Sequence, residues 1–109
     1  MKFSMLEIVN LFKELHLKEY GGNGWHGYCF DACCEFMELL LEQGIIDKDG
    51  ADIAWDLEHL NESKYSAKHP VLGICDHWIF RLNTTYYDWT LRQFIPGGPF
   101  PFIWTQPEI

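Results

Sequence analysis

Basic residues are scarce in this chain. Eight Lys and Arg stand against sixteen Asp and Glu, giving a formal charge of −8 and a pI near 4.9, a sign that repels phosphate backbones and anionic lipid. Neither a nucleic acid nor a membrane surface is expected as a partner. Long apolar runs are missing too: none exceeds five residues, far short of the ~20 that a membrane span requires. Met1 to Leu6 hold one Lys and no apolar core. A secretory signal is therefore not expected, and a cytoplasmic location is, in the producing cell or in a cell to which the protein is delivered. Cysteine is limited to four positions, and Cys29, Cys33 and Cys34 crowd into six residues where one helix would point them in different directions. A disulfide framework is not expected, and reduced thiols are.

What is present is apolar volume. Of 109 residues, 48% are hydrophobic and 17% aromatic while only 22% are charged, enough to form one core and to exclude global disorder. Met5, Leu6, Ile8, Val9, Leu11, Phe12 and Leu15 recur at three- and four-residue spacing behind a Ser4/Glu7 capping box, predicting a helix over about 4 to 18. Gly21, Gly22, Gly24 and Gly27 then mark a loop. A second helix is expected from Cys29 to Gln43 with Gly44 as its C-terminal cap. Asp47 to Gly50 reads as a turn, since Ile45 and Ala51 break any calcium-loop series, and Ala51 to Asn61 as a third helix. Ten of the sixteen acids lie between Asp31 and Glu62, which makes the helical part, about 4 to 62, the acidic part. Beyond a connecting loop at 63 to 70, Val71 to Arg81 and Tyr86 to Phe94 are rich in β-branched and aromatic residues, predicting a β-hairpin over about 71 to 95 with its turn near Leu82 to Thr85. The tail from 96 to 109, with four of the five prolines, is expected to run extended over the surface, anchored by Phe100, Phe102 and Trp104. Helices followed by strands make an α+β domain.

One string carries chemistry. Gly27-Tyr28-Cys29-Phe30-Asp31-Ala32 sets a thiol just after a glycine-rich loop, at the opening of a helix. Unpaired backbone N–H groups and the positive end of the helix dipole favour a thiolate there. Cysteine is also among the residue types most often buried, so a core role is the plain alternative for Cys29 and the reading adopted for Cys33 and Cys34. A nucleophile needs a base and the base an orienting group. If the hairpin closes with two or four loop residues around Asn83 and Thr84, residue 77 lies across from about residue 90. Asp88 is then a diagonal neighbour of His77 on the same face. An odd loop without a bulge would separate them, leaving a strand histidine and a turn carboxylate.

These residues resemble a known group. Gly-x-Cys at a helix start, His followed by Trp at a strand start, and Tyr-Tyr-Asp-Trp-Thr on the next strand look like the Cys–His–Asp pattern of papain-like and transglutaminase-like cysteine enzymes, in the same chain order. Asp88-Trp89-Thr90-Leu91-Arg92-Gln93-Phe94, followed by Pro96 and a proline-rich stretch, resembles the Asp-x-Thr-x-x-Gln-Phe ending of small papain-fold bacterial toxin and effector domains, including glutamine deamidases of the dermonecrotic-toxin type. The resemblance spans residues 21 to 101 and implies a minimal papain-like core, with N-terminal helices packed on a small antiparallel sheet. It implies Cys29 as nucleophile, His77 as the base that activates it and then protonates the leaving group, and Asp88 as the group that fixes the histidine tautomer. Asn23 stands where the family has an oxyanion-stabilising glutamine, six residues before the cysteine. Either Asn23 or Gln93 would supply that amide beside the Cys29 backbone N–H, unless Asn23 is only a turn residue and Gln93 only holds a strand end. The implied chemistry is acyl transfer on a side-chain or peptide amide of a partner protein, with glutamine deamidation first, peptide cleavage second and transglutamination sharing the early steps. The same likeness admits an immunity or inhibitor protein as a second partner.

Two other readings compete. His26, Cys29 and Cys33 with Cys75 or His77 have the chemistry of a zinc site, but no Cys-x-x-Cys knuckle is present, so neither a metal nor another cofactor is expected. The span from Asp31 to Glu62 suits a non-catalytic acidic phage or bacterial inhibitor on a degenerate papain-like fold, or is an ordinary solvated helix surface. In either functional reading the acidity points to a partner with a basic surface.

Overall fold

A computed structural model describes residues 4–20, 29–50, 54–60, 69–71, 77–95 and 97–105. The protein is α+β: among the described residues two α-helices pack against a four-stranded antiparallel sheet. Helix α1 (Met5–Tyr20) starts at the capping box, where the Glu7 amide donates to Ser4 Oγ at 3.2 Å and the Ser4 amide to Glu7 Oε1 at 3.0 Å. Two otherwise orphaned amides are thereby satisfied. Helix α2 (Cys29–Glu42) buries Ala32, Cys33, Phe36 and Leu40. Its Asp31, Glu35, Glu38 and Glu42 form an exposed stripe on the opposite side, so the sequence spacing alone sorts core from solvent. The helix stops at Gly44, whose φ of 70° lies in the left-handed region. The Ile45 amide then reaches back to the Leu40 carbonyl at 3.0 Å and the Gly44 amide to that of Leu41 at 3.1 Å, the double bond of a glycine-terminated helix.

The expected third helix over Ala51 to Asn61 is not formed. Its described part is strand β1 (Trp55–His59), paired antiparallel with β2 (Trp78–Leu82) so that Trp55 faces Leu82 and His59 faces Trp78. Local helix preference in Leu57 and Glu58 is overridden because this strand gains a partner ladder and buries residues on both faces. Trp55 and Leu57 join the helix-side core, and Glu58 is buried on the far side, 3.6 Å from Arg81 Nε. The acid-rich span is thus split between helix and strand, and Glu58 is no surface charge.

The hairpin forms with shorter strands than expected. β2 turns through Asn83, at φ 53°, into β3 (Thr85–Asp88), with Leu82 opposite Thr85 and Phe80 opposite Tyr87. The second strand ends at Asp88 rather than running to Phe94, and the chain leaves it for a 3-10 turn at Leu91–Gln93. In the first arm, residues 72–76 lie outside the described residues. The tail also departs from expectation, because Phe102–Thr105 is strand β4, paired with β3 with Phe102 opposite Asp88 and Trp104 opposite Tyr86. Prolines at 99 and 101 precede the strand without interrupting its ladder.

Neighbouring strand residues point to opposite faces. Phe80 and Tyr87 meet Phe36 of α2 at ring separations of 5.3 Å each, while Ile79, Tyr86 and Leu60 form a smaller cluster with Trp104 on the other face. Phe36 is the hub of the main core, also meeting Phe12 of α1 at 5.2 Å and Trp89 at 5.1 Å. That hub ties α2, and with it Cys29, to the end of the sheet where β2 begins and β3 ends.

Candidate active site

Cys29 is the first residue of α2, His77 precedes β2, and Asp88 is the last residue of β3. The hairpin has a two-residue loop, so continuing its register sets His77 across from Thr90 and diagonal to Asp88. The pair meets: His77 Nε2 lies 2.9 Å from Asp88 Oδ1, both side chains fully buried. The Cys29 thiol is half-buried and hydrogen-bonded to His77. With Nε2 turned to the carboxylate, Nδ1 is the ring nitrogen left to serve the sulfur. Thiol, imidazole and carboxylate therefore form one chain across the end of the sheet.

Electrostatics follow from those contacts. Burial opposes a charge on Cys29, but the hydrogen bond from His77, the Trp78 backbone amide, the histidine charge and the Phe30 amide outweigh it, and the thiol titrates below its ordinary value. Burial likewise opposes a charge on His77. The bonds to Asp88 and Cys29 and the charges of both partners overcome it and push the imidazole from 6.5 up to about 9. Asp88 is pulled below the usual carboxylate range despite its burial, through His69, His77 and the Thr90 amide. These three shifts favour a thiolate–imidazolium pair at neutral pH, with the carboxylate ionised behind it.

The other described thiols behave differently. Cys33 is held well above the ordinary value by burial and then by the charges of Asp88, Cys29 and Cys34. Cys34 is raised by burial and then by Asp31, Glu38 and Glu35. Both remain protonated and inert at neutral pH, and all three described cysteines are free.

One member of the cluster was not foreseen. His69, in the segment expected to be a plain connecting loop, places Nε2 2.8 Å from Asp88 Oδ2 and is itself buried. No local pattern marks it, because its partners are remote in sequence. Exposed aromatic side chains lie beside the site. Phe94, 45% exposed, meets the His77 ring edge-on at 5.0 Å, and Phe30, 42% exposed, meets Trp78 at 4.8 Å.

Gln93 closes the 3-10 turn Leu91–Gln93 just beyond Asp88. Asn23 lies outside the described residues, as do His26 and Cys75 of the zinc reading. Among the described residues no group of three His, Cys, Asp or Glu side chains is placed to hold a metal ion, and no helix is long and apolar enough to cross a membrane. No family model, curated protein or solved structure matches the chain. The geometry of the site and its chemistry are therefore the basis for a functional reading.

Proposed function

We propose that this protein is a thiol-dependent acyl-transfer enzyme on a papain-like core, acting on an amide of a partner protein, with glutamine deamidation as the first reaction to test and peptide cleavage as the second. The observation that carries this reading is the continuous Cys29–His77–Asp88 chain, in which only one of the described thiols is lowered and its histidine is raised. In the reaction the Cys29 thiolate attacks the amide carbon, and the His77 imidazolium gives its proton to the departing ammonia or amine. Water, deprotonated by the now neutral His77, then hydrolyses the thioester and restores the thiol. Asp88 holds the ring and stabilises its charged form. Oxyanion stabilisation falls to the Cys29 backbone N–H with the side-chain amide of Asn23 or Gln93.

The exposed stripe Asp31, Glu35, Glu38 and Glu42 on α2 begins beside the nucleophile. A partner with a basic surface is the natural complement. An immunity or inhibitor protein would cover the same face. The stripe also favours a second reading, an acidic binding protein in which the triad is idle.

Mass spectrometry of a proteome incubated with the protein separates these readings. Wild-type protein is expected to convert particular glutamines to glutamates or to create new peptide ends, and Cys29→Ala and His77→Ala to do neither while staying folded. Conversion that survives Cys29→Ala would falsify the enzymatic reading. An unmodified proteome together with retained target binding by Cys29→Ala would establish the binding protein instead.

A further inference from the structure

The Asp88 carboxylate accepts three hydrogen bonds, of which the triad uses one. Oδ1 takes His77 Nε2 at 2.9 Å and the Thr90 backbone N–H at 2.9 Å, and Oδ2 takes His69 Nε2 at 2.8 Å. His69 is not free to choose its tautomer. Its Nδ1 accepts the Val71 backbone N–H at 3.1 Å, which puts the ring proton on Nε2, aimed at Asp88. The ring is also clamped, lying 5.1 Å from Phe102 at an interplanar angle of 25° and 4.7 Å from Trp104. Both aromatics belong to β4, and the β3–β4 register brings Phe102 opposite Asp88 and Trp104 opposite Tyr86 on one face.

We propose that His69 is a positioning residue of the site: its fixed Nε2–H donor holds Oδ2 so that Oδ1 stays on His77, and the tail strand β4 acts on the chemistry through this ring. The inference rests on the reading of Cys29, His77 and Asp88 as a working triad. Its physical basis is that a buried carboxylate oxygen without a donor is costly, and the carboxylate relieves that cost by turning, by taking up a proton or by admitting water. Each response weakens the bond to His77 and with it the thiolate. Two donors on Oδ1 and one on Oδ2 leave no other anchor for Oδ2 among the described contacts of Asp88. The titratable groups that face Asp88 among the described residues are His69, His77 and, from α2, Cys33. Cys29 acts on it through His77.

The experiment reads the thiolate directly and needs no substrate. Iodoacetamide alkylation of Cys29, followed by site-resolved mass spectrometry across the acid-to-alkaline range, is compared for wild type, His69→Leu and His69→Gln, with Val9→Ala as a remote core lesion. Leu removes the donor, whereas the Gln amide nitrogen can stand where Nε2 was. His69→Leu is expected to move the midpoint of thiolate reactivity up by about one pH unit, roughly a tenfold slower reaction on the acid limb. His69→Gln should return most of that shift, and Val9→Ala should leave the midpoint where it was. Histidine ¹⁵N spectra of the unmodified protein keep the question open to test if His69→Leu does not fold, and they are expected to show His69 as the Nε2–H tautomer. An unmoved midpoint in folded His69→Leu, an equal shift in Val9→Ala, or an Nδ1–H tautomer would overturn the proposal and leave the triad intact. An ordinary thiol midpoint in wild type would remove the triad reading and this inference together.

Discussion

Replacing Asp88 by Asn changes one oxygen to an amide nitrogen and removes one charge, and the surroundings have no means of absorbing either change. With the nitrogen in the place of Oδ1 it confronts two donors, His77 Nε2 and the Thr90 N–H; in the place of Oδ2 it confronts His69 Nε2, whose other nitrogen already accepts from Val71. The second rotamer sacrifices one bond rather than two and sets the smaller loss. One buried donor facing another costs about 1–3 kcal/mol, so a destabilisation near 2 kcal/mol is expected in urea titrations. The lost charge acts on the thiol. His77 stands at about 9 rather than 6.5, with Asp88 and Cys29 as its two supports. Removing the carboxylate is expected to lower the ring by roughly one to two units, which reduces the ratio of thiolate–imidazolium to neutral pair about 10- to 100-fold. Alkylation of Cys29 at neutral pH should slow severalfold, up to that same factor. A folded Asp88→Asn protein alkylated within about twofold of wild type would refute the electrostatic argument, since a factor of two corresponds to only a few tenths of a pKa unit.

Three further outcomes follow from other parts of the structure. Among Cys29, Cys33 and Cys34, only Cys29 should alkylate rapidly at neutral pH, because the other two are raised by burial and neighbouring carboxylates; fast labelling of Cys33 in folded protein would contradict the core described for α2. Stability should depend on pH with a sign set by the shifts. The lowered Asp88 contributes stability present above the ordinary carboxylate value of about 3.9, lost as pH falls through its depressed folded value. The raised His77 contributes stability that is full below 6.5 and lost as pH rises through about 9, while the lowered Cys29 has the opposite sign. The two contributions oppose each other, so the slope of wild-type stability with pH between 6.5 and about 9 is expected to differ from that of Cys29→Ala, which loses both the thiol's own contribution and its support of the His77 shift; parallel curves from urea midpoints would show that the pair is not formed. Phe36→Ala deletes the ring that joins α1, α2 and the sheet, and a loss of about 3–5 kcal/mol in chemical denaturation is expected.

Part of the site was legible in the sequence because its determinants are local. A thiol behind glycines at a helix start, a capping box at Ser4 and Glu7, and Gly44 after the last apolar turn each specify their own backbone within a few residues. The two-residue turn at Asn83 and Thr84 does the same for the hairpin, and once its length is known the proximity of His77 and Asp88 follows from strand periodicity. The strand at Trp55–His59 was hidden by the partly helical spacing of Trp55, Leu57 and Leu60, since its partners lie 19 to 27 residues away and only that pairing makes it a strand. β4 was hidden by the prolines around it, which interrupt a strand only if they fall on its ladder.

Spacing, capping and composition along the chain were enough to place the apolar faces of α1 and α2, the start of each and the glycine stop of α2, the thiol at a helix start, and an α+β domain with an acidic helix. Such features depend on interactions that close within one or two turns of chain. Tertiary structure alone decided the four-strand order, the burial of Glu58 against Arg81, and the arrival of His69 on the second oxygen of Asp88. Those depend on segments distant in sequence being brought side by side by a shared core, and a hydrogen bond across nineteen residues leaves no periodic trace along the chain.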